Sequence, residues 1–216
     1  MATATATATG RAAPRGWEKR MANQPRPKDI RIICGLGNPG AEYAATRHNA
    51  GFATVDALAE RHGARYWKSE AGCMVARVRM RAPEGTREVI LAKPQDFMNT
   101  SGGPLSKLLR QEKATPQEVL VVHDEVDRPA GAVDVKFGGG LNAHNGLRSI
   151  ANKLGTRDFA RLRFGIGRPP GKMQVADYVL RTLKGSYLQE FELEAQDAAT
   201  LAERVVERGV QAEVGR

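Results

Sequence analysis

The chain contains few of the residues and segments that several classes of protein require. It has only two cysteines, Cys34 and Cys73, and both lie in strand-like apolar runs, which predicts buried packing in a reducing compartment. No apolar run approaches the roughly 18 residues of a membrane-spanning helix. The N-terminus lacks the apolar stretch of a secretory signal. We therefore expect a cytoplasmic protein without a membrane partner.

Charge and composition divide the chain into three parts. Residues 1–29 are a low-complexity segment rich in Ala and Thr, for which we predict a disordered tail. The net charge is +5 over residues 1–31, +8 over 32–185 and −4 over 186–216. A basic body favours a polyanionic partner such as nucleic acid, although a basic surface alone also occurs in proteins without one.

Strand-like and helix-like patterns alternate over residues 30–210, for which we predict one α/β domain. Strands are expected at "IRIIC", "CMVARVRM", "REVILAKP", "VLVVHD", "AVDVKF" and "ARLRFGIG", and helices at "FATVDALAERHG", "SGGPLSKLLRQEK", "NGLRSIANKLG" and 186–210. The adjacent strand pair at 73–93 makes the sheet mixed rather than all parallel. The predicted fold is a single mixed β-sheet flanked by helices.

The segment "GLGNPG" after the first predicted strand spells G-x-G-x-x-G, the fingerprint of a dinucleotide-binding loop. Such a loop needs a helix that starts inside the glycine run, and an acidic residue at the end of the next strand. Here the helical pattern starts near Gly51, and the nearest acidic candidate, Asp56, lies mid-helix. We therefore reject nicotinamide binding. The glycines instead place Asn38 at the sheet edge where open α/β folds bind ligands.

Polar side chains recur at similar positions in five separate segments. They are Asn38, the pair His48 and Asn49, Asn99, Asp124, and the pair His144 and Asn145. Each alone is consistent with ordinary turn chemistry, but together they favour one site. A neutral His can accept a proton from water, a carboxylate can fix its tautomer, and Asn amides can stabilise an oxyanion. Because no Ser or Cys lies in a nucleophile-elbow context, the set predicts hydrolysis by an activated water.

A metal site is not expected from the motifs. In "HDEVD", His123 and Asp124 point to opposite faces of a strand, so they do not share one ion. The chain has no H-x-x-x-H or C-x-x-C pattern that would favour zinc.

Five segments in order resemble the bacterial-type peptidyl-tRNA hydrolase family. They are "GLGNPGAEYAATRHNAGF", "KPQDFMNTSGGPL", "HDEVDRPAGAVDVKFGGG", "HNGLRSI" and "FARLRFGIGRP", and the similarity covers roughly residues 30–205. The resemblance implies a monomeric α/β enzyme that needs no cofactor. It would cleave the ester between a peptide and the terminal ribose of tRNA, which frees tRNA from stalled or aborted translation.

The resemblance also implies a role for each residue that matches a family motif. His48 would be the catalytic base and Asp124 its hydrogen-bond partner, while Asn38 and Asn99 would hold the peptide end and assist the oxyanion. The residues implied to bind substrate or tRNA are Tyr43, Phe97, Asn99, Asn145 and, as a clamp for the tRNA 5′-phosphate, Lys136 and Arg163.

Two segments depart from the family pattern. Leu141, Asn142 and Ala143 stand where the family usually has His and further glycines, and Asp96 stands where a small hydroxyl residue is commoner. A second hypothesis from another class also stays open: an RNA-binding module on this fold without catalytic activity.

Overall fold

The structure, a computed structural model, describes residues 29–215. Its seven strands form one sheet in the order β2-β3-β4-β1-β5-β7-β6. The strands are β1 Ile32–Gly35, β2 Lys68–Glu70, β3 Cys73–Ala82, β4 Gly85–Pro94, β5 Val119–Glu125, β6 Val133–Phe137 and β7 Ala160–Gly165. The central strands β4, β1, β5 and β7 are parallel, and β2, β3 and β6 pair antiparallel. The predicted mixed sheet is therefore confirmed.

Helices cover both faces of the sheet. They are α1 Ala50–Arg61, α2 Gly102–Gln111, α3 Asn145–Leu154, α4 Val175–Val179, α5 Ser186–Arg208 and α6 Val210–Glu213, with 3-10 turns at Arg47–Asn49, Met98–Thr100 and Pro116–Glu118. None of the helices within residues 29–215 has both the length and the apolar character needed to cross a membrane. The tail predicted for 1–29 falls, apart from its last residue, outside the described residues, so it stays a prediction.

Side chains along the central strands point alternately to the two faces of the sheet, and each face has its own apolar core. Ile33 of β1 packs into the core that α1 and α5 cover, whereas its neighbours Ile32 and Cys34 pack into the core under α2 and α3. Every residue of β1 and of β5 is buried. A strand buried on both faces needs a continuous apolar run, and this explains why "IRIIC" and "VLVVHD" were recognisable as strands.

The glycines after β1 allow a close approach between strand and helix. A Cβ atom at Gly35 would lie 2.2 Å from the carbonyl oxygen of Gly51, and one at Gly51 would lie 2.2 Å from the backbone nitrogen of Leu36. Only glycine fits at such a crossing. α1 begins at Ala50, ten residues after Gly40. No helix therefore starts within "GLGNPG", where a dinucleotide-binding loop needs a helix N-terminus to bind the pyrophosphate.

Candidate active site

The carboxyl ends of β1, β4 and β5 meet at one edge of the sheet and form a cleft of about 570 Å³. From β1 the chain continues to the half of the sheet that contains β2, β3 and β4, whereas from β5 it continues to the half that contains β6 and β7. A crevice between strands whose connections diverge is the usual ligand site of an open α/β sheet. Seven of the candidate site residues predicted from sequence line this cleft: Asn38, His48, Phe97, Asn99, Asp124, His144 and Asn145.

Asp124 lies in the cleft wall and accepts hydrogen bonds from two histidines. Its Oδ1 is 3.0 Å from His48 Nδ1 and 3.0 Å from His144 Nε2. Burial acts to raise the pKa of Asp124, but the charges and hydrogen bonds of His144 and His48 outweigh it, so the pKa lies below its ordinary value. Asp124 is therefore ionised at neutral pH and acts only as an acceptor.

These contacts fix the tautomers of both histidines. His144 is the N-cap of α3, and its Nδ1 accepts from the backbone N–H groups of Gly146 at 3.1 Å and Leu147 at 3.4 Å. Its proton must therefore be on Nε2, which donates to Asp124. His48 donates to Asp124 through Nδ1, so its lone pair is on Nε2. Within residues 29–215, His48 Nε2 has no hydrogen-bond partner, and the side chain is 15% exposed.

The same three side chains are close enough to be considered as metal ligands. Their ligand atoms lie within 4.8 Å of one another. However, a histidine that ligates a metal normally donates its second ring N–H to an acceptor. The Nδ1 of His144 instead accepts from two backbone N–H groups, and ligation through Nε2 would disrupt this cap. The geometry favours a hydrogen-bonded set over a metal site.

Asn38 is held so that its amide nitrogen is available to a ligand. Its backbone N–H and C=O bond the side chain of Asn49 at 2.9 and 3.0 Å, and its Oδ1 accepts from Met98 N–H at 2.8 Å. The acceptor role of Oδ1 sets the orientation of the amide. Asn38 Nδ2 makes no hydrogen bond to any described residue, and the side chain borders the cleft. Asn49, noted in the sequence without a role, is a support for Asn38.

The other predicted substrate contacts lie at the cleft rim. Phe97 is 59% exposed and packs edge-to-face with Tyr43 at 6.4 Å between ring centroids. Asn99 follows in the 3-10 turn and Asn145 begins α3, and both are exposed. These positions suit contacts with a large ligand that covers the cleft.

Lys136 and Arg163 do not line the cleft. Lys136 is on β6 and Arg163 is on β7. Lys136 pairs in register with Arg161, and Asp134 pairs with Arg163. Because residues two apart on a strand share a face, the side chains of Lys136 and Arg163 lie on the same face of the sheet. Arg163 makes a two-point ion pair with Asp134, at 2.6 and 2.7 Å. The sequence could not show this pair, since it depends on the strand register.

The loop that departs from the family pattern keeps an unusual backbone. Asn142 and Ala143 have positive φ, 45° and 59°, which Asn tolerates better than Ala. Asn142 Nδ2 donates to the buried carboxylate of Glu125 at 2.8 Å, and Arg161 donates to the carbonyl oxygens of Gly138 and Gly140. These side chains fix the loop path that ends at His144.

Sequence reasoning missed one wall of the cleft, formed by α4 and the residues around it. Val175, Val179 and Leu180 line the cleft. This wall is joined to the turn that carries His48, because the Arg47 guanidinium stacks 4.3 Å from the centre of the Tyr178 ring. Leu183 N–H also donates to Ala45 C=O at 2.7 Å. A five-residue helix gives too short a periodic pattern to be detected.

Comparisons with known proteins identify the family of this chain. A family model described as peptidyl-tRNA hydrolase matches residues 32–216. The chain belongs to the peptidyl-tRNA hydrolase family. It is 49% identical to a peptidyl-tRNA hydrolase of Frankia alni over 88% of this chain and 95% of that relative. For the Streptomyces coelicolor peptidyl-tRNA hydrolase the identity is 46%, over 83% and 90%.

A solved structure has the same fold. The crystal structure of peptidyl-tRNA hydrolase from Acinetobacter baumannii superimposes with a TM-score of 0.74 and 34% identity, over 85% of this chain and 91% of that one.

Proposed function

We propose that this protein hydrolyses the ester between peptide and tRNA in peptidyl-tRNA, and that His48 activates the attacking water. It acts as a cytoplasmic monomer, releases free tRNA and peptide, and so recovers tRNA from stalled or aborted translation. The observation that carries the proposal is the His48–Asp124 pair at 3.0 Å, with the free Nε2 of His48 in the cleft.

In this mechanism, His48 Nε2 takes a proton from water as the water oxygen attacks the ester carbonyl. Asp124 stabilises the imidazolium that forms. The free amide N–H groups of Asn38, with those of Asn99, donate to the developing oxyanion. When the intermediate collapses, the bond to the ribose oxygen breaks, and that oxygen takes the proton back from His48.

His48, rather than His144, is the base because the two imidazoles have different hydrogen bonds. Both nitrogens of His144 are engaged, one by Asp124 and one by the start of α3. His144 could accept a proton from water only on Nδ1, and it would then lose its hydrogen bonds with the backbone N–H groups at the start of α3. His48 has one nitrogen without a described partner, and it can change protonation state without disturbing the fold.

Substrate binding is assigned to the rim and to the basic strands. Phe97, Tyr43 and Asn145 contact the peptide and the terminal nucleotide, and Lys136 with Arg163 binds the 5′-phosphate. Support for the clamp is that both side chains project from one face of the sheet. Asp134 engages the Arg163 guanidinium at two points and also pairs with Arg128. Because Arg163 is already held in this way, Lys136 contributes the larger part of the contact.

The proposal is tested by His48→Ala in the full chain, with peptidyl-tRNA turnover and tRNA binding measured in parallel. The variant should lose about 10²–10⁴-fold in rate and keep its tRNA affinity. The matched control is His62→Ala, because His62 lies beyond the far end of α1 and pairs with Glu203. A wild-type chain that binds tRNA but does not hydrolyse the ester would be an RNA-binding module, the competing hypothesis.

A further inference from the structure

The turn that carries His48 is held by two side chains that lie outside the catalytic cleft. Arg47 precedes His48 in this turn, and its guanidinium lies 4.3 Å from the centre of the Tyr178 ring on α4. Both side chains line a separate cleft of about 230 Å³, whereas Val175 and Val179 of the same helix line the catalytic cleft. Arg47 and Tyr178 are therefore not placed to contact the reacting ester, and they can act on the reaction only through other residues.

Tyr178 is also tied to the strand that carries Asp124. Its hydroxyl donates to the carbonyl oxygen of Ile166 at 2.7 Å, and the Ile166 N–H donates to the carbonyl oxygen of Glu125 at 3.1 Å. Glu125 follows Asp124 at the end of β5. The Arg47 stack and the 3.0 Å bond from Asp124 to the catalytic base complete a closed circuit of contacts. The two catalytic side chains are therefore joined directly and also through α4.

The Arg47 guanidinium depends on the Tyr178 ring for its place in this circuit. Its side chain makes no hydrogen bond and no ion pair with any residue in 29–215, although Glu190 and Glu194 line the same small cleft. Burial and the Glu190 carboxylate raise the pKa of Glu194, and the Arg47 charge opposes this rise. A planar guanidinium can lie against an aromatic ring, whereas the ammonium of lysine has no planar group to stack. Charge and stacking at position 47 can therefore be separated by Arg47→Lys.

We propose that Arg47 and Tyr178 are positioning residues, which together set how His48 meets Asp124. The start of the turn is held separately by a backbone hydrogen bond from Leu183, whereas the stack holds the residue next to the base. Loss of the stack therefore lets the imidazole move relative to Asp124 and to the attacking water. Since a small displacement of a catalytic group lowers the rate steeply, kcat should respond more than KM. The kinetic part of this inference rests on the proposed function, because it takes His48 to be the base.

The kinetic test compares variants of the full chain with the wild type on peptidyl-tRNA. Arg47→Met and Tyr178→Leu each remove the stack, so each should lower kcat about 3- to 30-fold, the range to which one cation–π contact corresponds, and leave KM within about twofold. Because both remove the same contact, the double variant should be no slower than the slower single one. Arg47→Lys, which keeps the charge beside Glu194, should restore kcat only in part. Tyr178→Phe, which keeps the ring, should lie closer to the wild type than Tyr178→Leu.

A spectroscopic measurement tests the placement of His48 without any substrate. In proton NMR, the N–H groups that His48 and His144 donate to Asp124 should give separate downfield resonances, and His48→Ala assigns the first by its loss. In Arg47→Met the His48 resonance should weaken through faster exchange with water, while the His144 resonance should stay. Loosening of the whole fold would weaken both resonances, so the pair separates positioning from general damage.

Two matched controls lie outside the circuit. They are Tyr187→Leu, at an exposed tyrosine that lines the same small cleft, and Arg65→Met, at an exposed arginine beyond the end of α1. Both should keep the wild-type kcat and both resonances. Normal kcat in Arg47→Met, full recovery in Arg47→Lys, a raised KM with unchanged kcat, or equal loss of both resonances would each overturn the positioning role. A wild type with both resonances but no turnover would refute the proposed function alone, and the Arg47→Met spectrum would still decide the positioning.

Discussion

Replacing Asp124 by Asn should remove most of the catalysis while leaving the cleft assembled. Both histidines bond the same oxygen, Oδ1, at 3.0 Å, and an amide oxygen in that place still accepts from both. What is lost is the negative charge that stabilises the imidazolium of His48 in the transition state. Unit charges about 4 Å apart at an effective dielectric constant of about 20 interact by about 4 kcal/mol, which corresponds to about 10³-fold in kcat.

The assay is steady-state hydrolysis of peptidyl-tRNA by wild type and Asp124→Asn at neutral pH, where Asp124 is ionised because its pKa lies below the ordinary value. We expect kcat to fall about 10³-fold and KM to change little, since the charge acts on the transition state. Asp56→Asn is the matched control, an exposed aspartate on α1 that pairs with Lys93. A raised KM with normal kcat would refute this reasoning and make Asp124 a binding residue.

Three further predictions follow from contacts outside the His48–Asp124 pair. Lys136→Ala should raise KM for 5′-phosphorylated peptidyl-tRNA more than Arg163→Ala, because the Arg163 guanidinium is already held by Asp134, a carboxylate that it shares with Arg128. Equal changes on dephosphorylated substrate would contradict the clamp. Ala143→Gly should raise the free energy of unfolding in urea titrations by about 0.5–1 kcal/mol, since Ala143 has a φ of +59°, in the left-handed region that glycine adopts more easily than alanine. A lower urea midpoint of unfolding would show that Ala143 is not strained. Burial lowers the pKa of His123 to about 3, so below pH of about 6.5 the unfolded state binds a proton that the folded state does not. The free energy of unfolding of the wild type should then fall as the pH falls toward 3, by up to about 1.4 kcal/mol per pH unit. In urea titrations from pH 7 to 5, His123→Phe should remove this dependence of the unfolding free energy on pH. An unchanged dependence would mean that another group titrates.

Much of the fold could be predicted because its central strands have an unambiguous pattern. β1 and β5 are short apolar runs buried on both faces, and each ends in polar residues. In a parallel sheet such ends lie at one edge, which is why the sequence predicts one site for Asn38, His48 and Asp124. The boundaries differ by a few residues, as for α1, which starts at Ala50 rather than Phe52.

The features that were not predicted depend on tertiary pairing. β2 is three residues long, with no apolar pattern, and it exists as a strand through its pairing with β3. The Arg163–Asp134 pair depends on strand register. The role of His144 depends on the start of α3 lying beside Asp124. None of these relations is local, so no sequence window contains them.

The loop Leu141–Ala143 leads directly into the hydrogen-bonded set of the catalytic cleft. Asn142 and Ala143 border the catalytic cleft, and the next residue, His144, bonds Asp124. Residues in left-handed conformations carry a conformational cost that the surroundings must offset, and here the Asn142–Glu125 bond offsets part of it. Because His144 follows directly, the path of this loop sets where the His144 imidazole meets Asp124. Relaxing the loop with glycine at position 143 should stabilise the protein while loosening the placement of His144, which is the trade between stability and activity expected at a functional site.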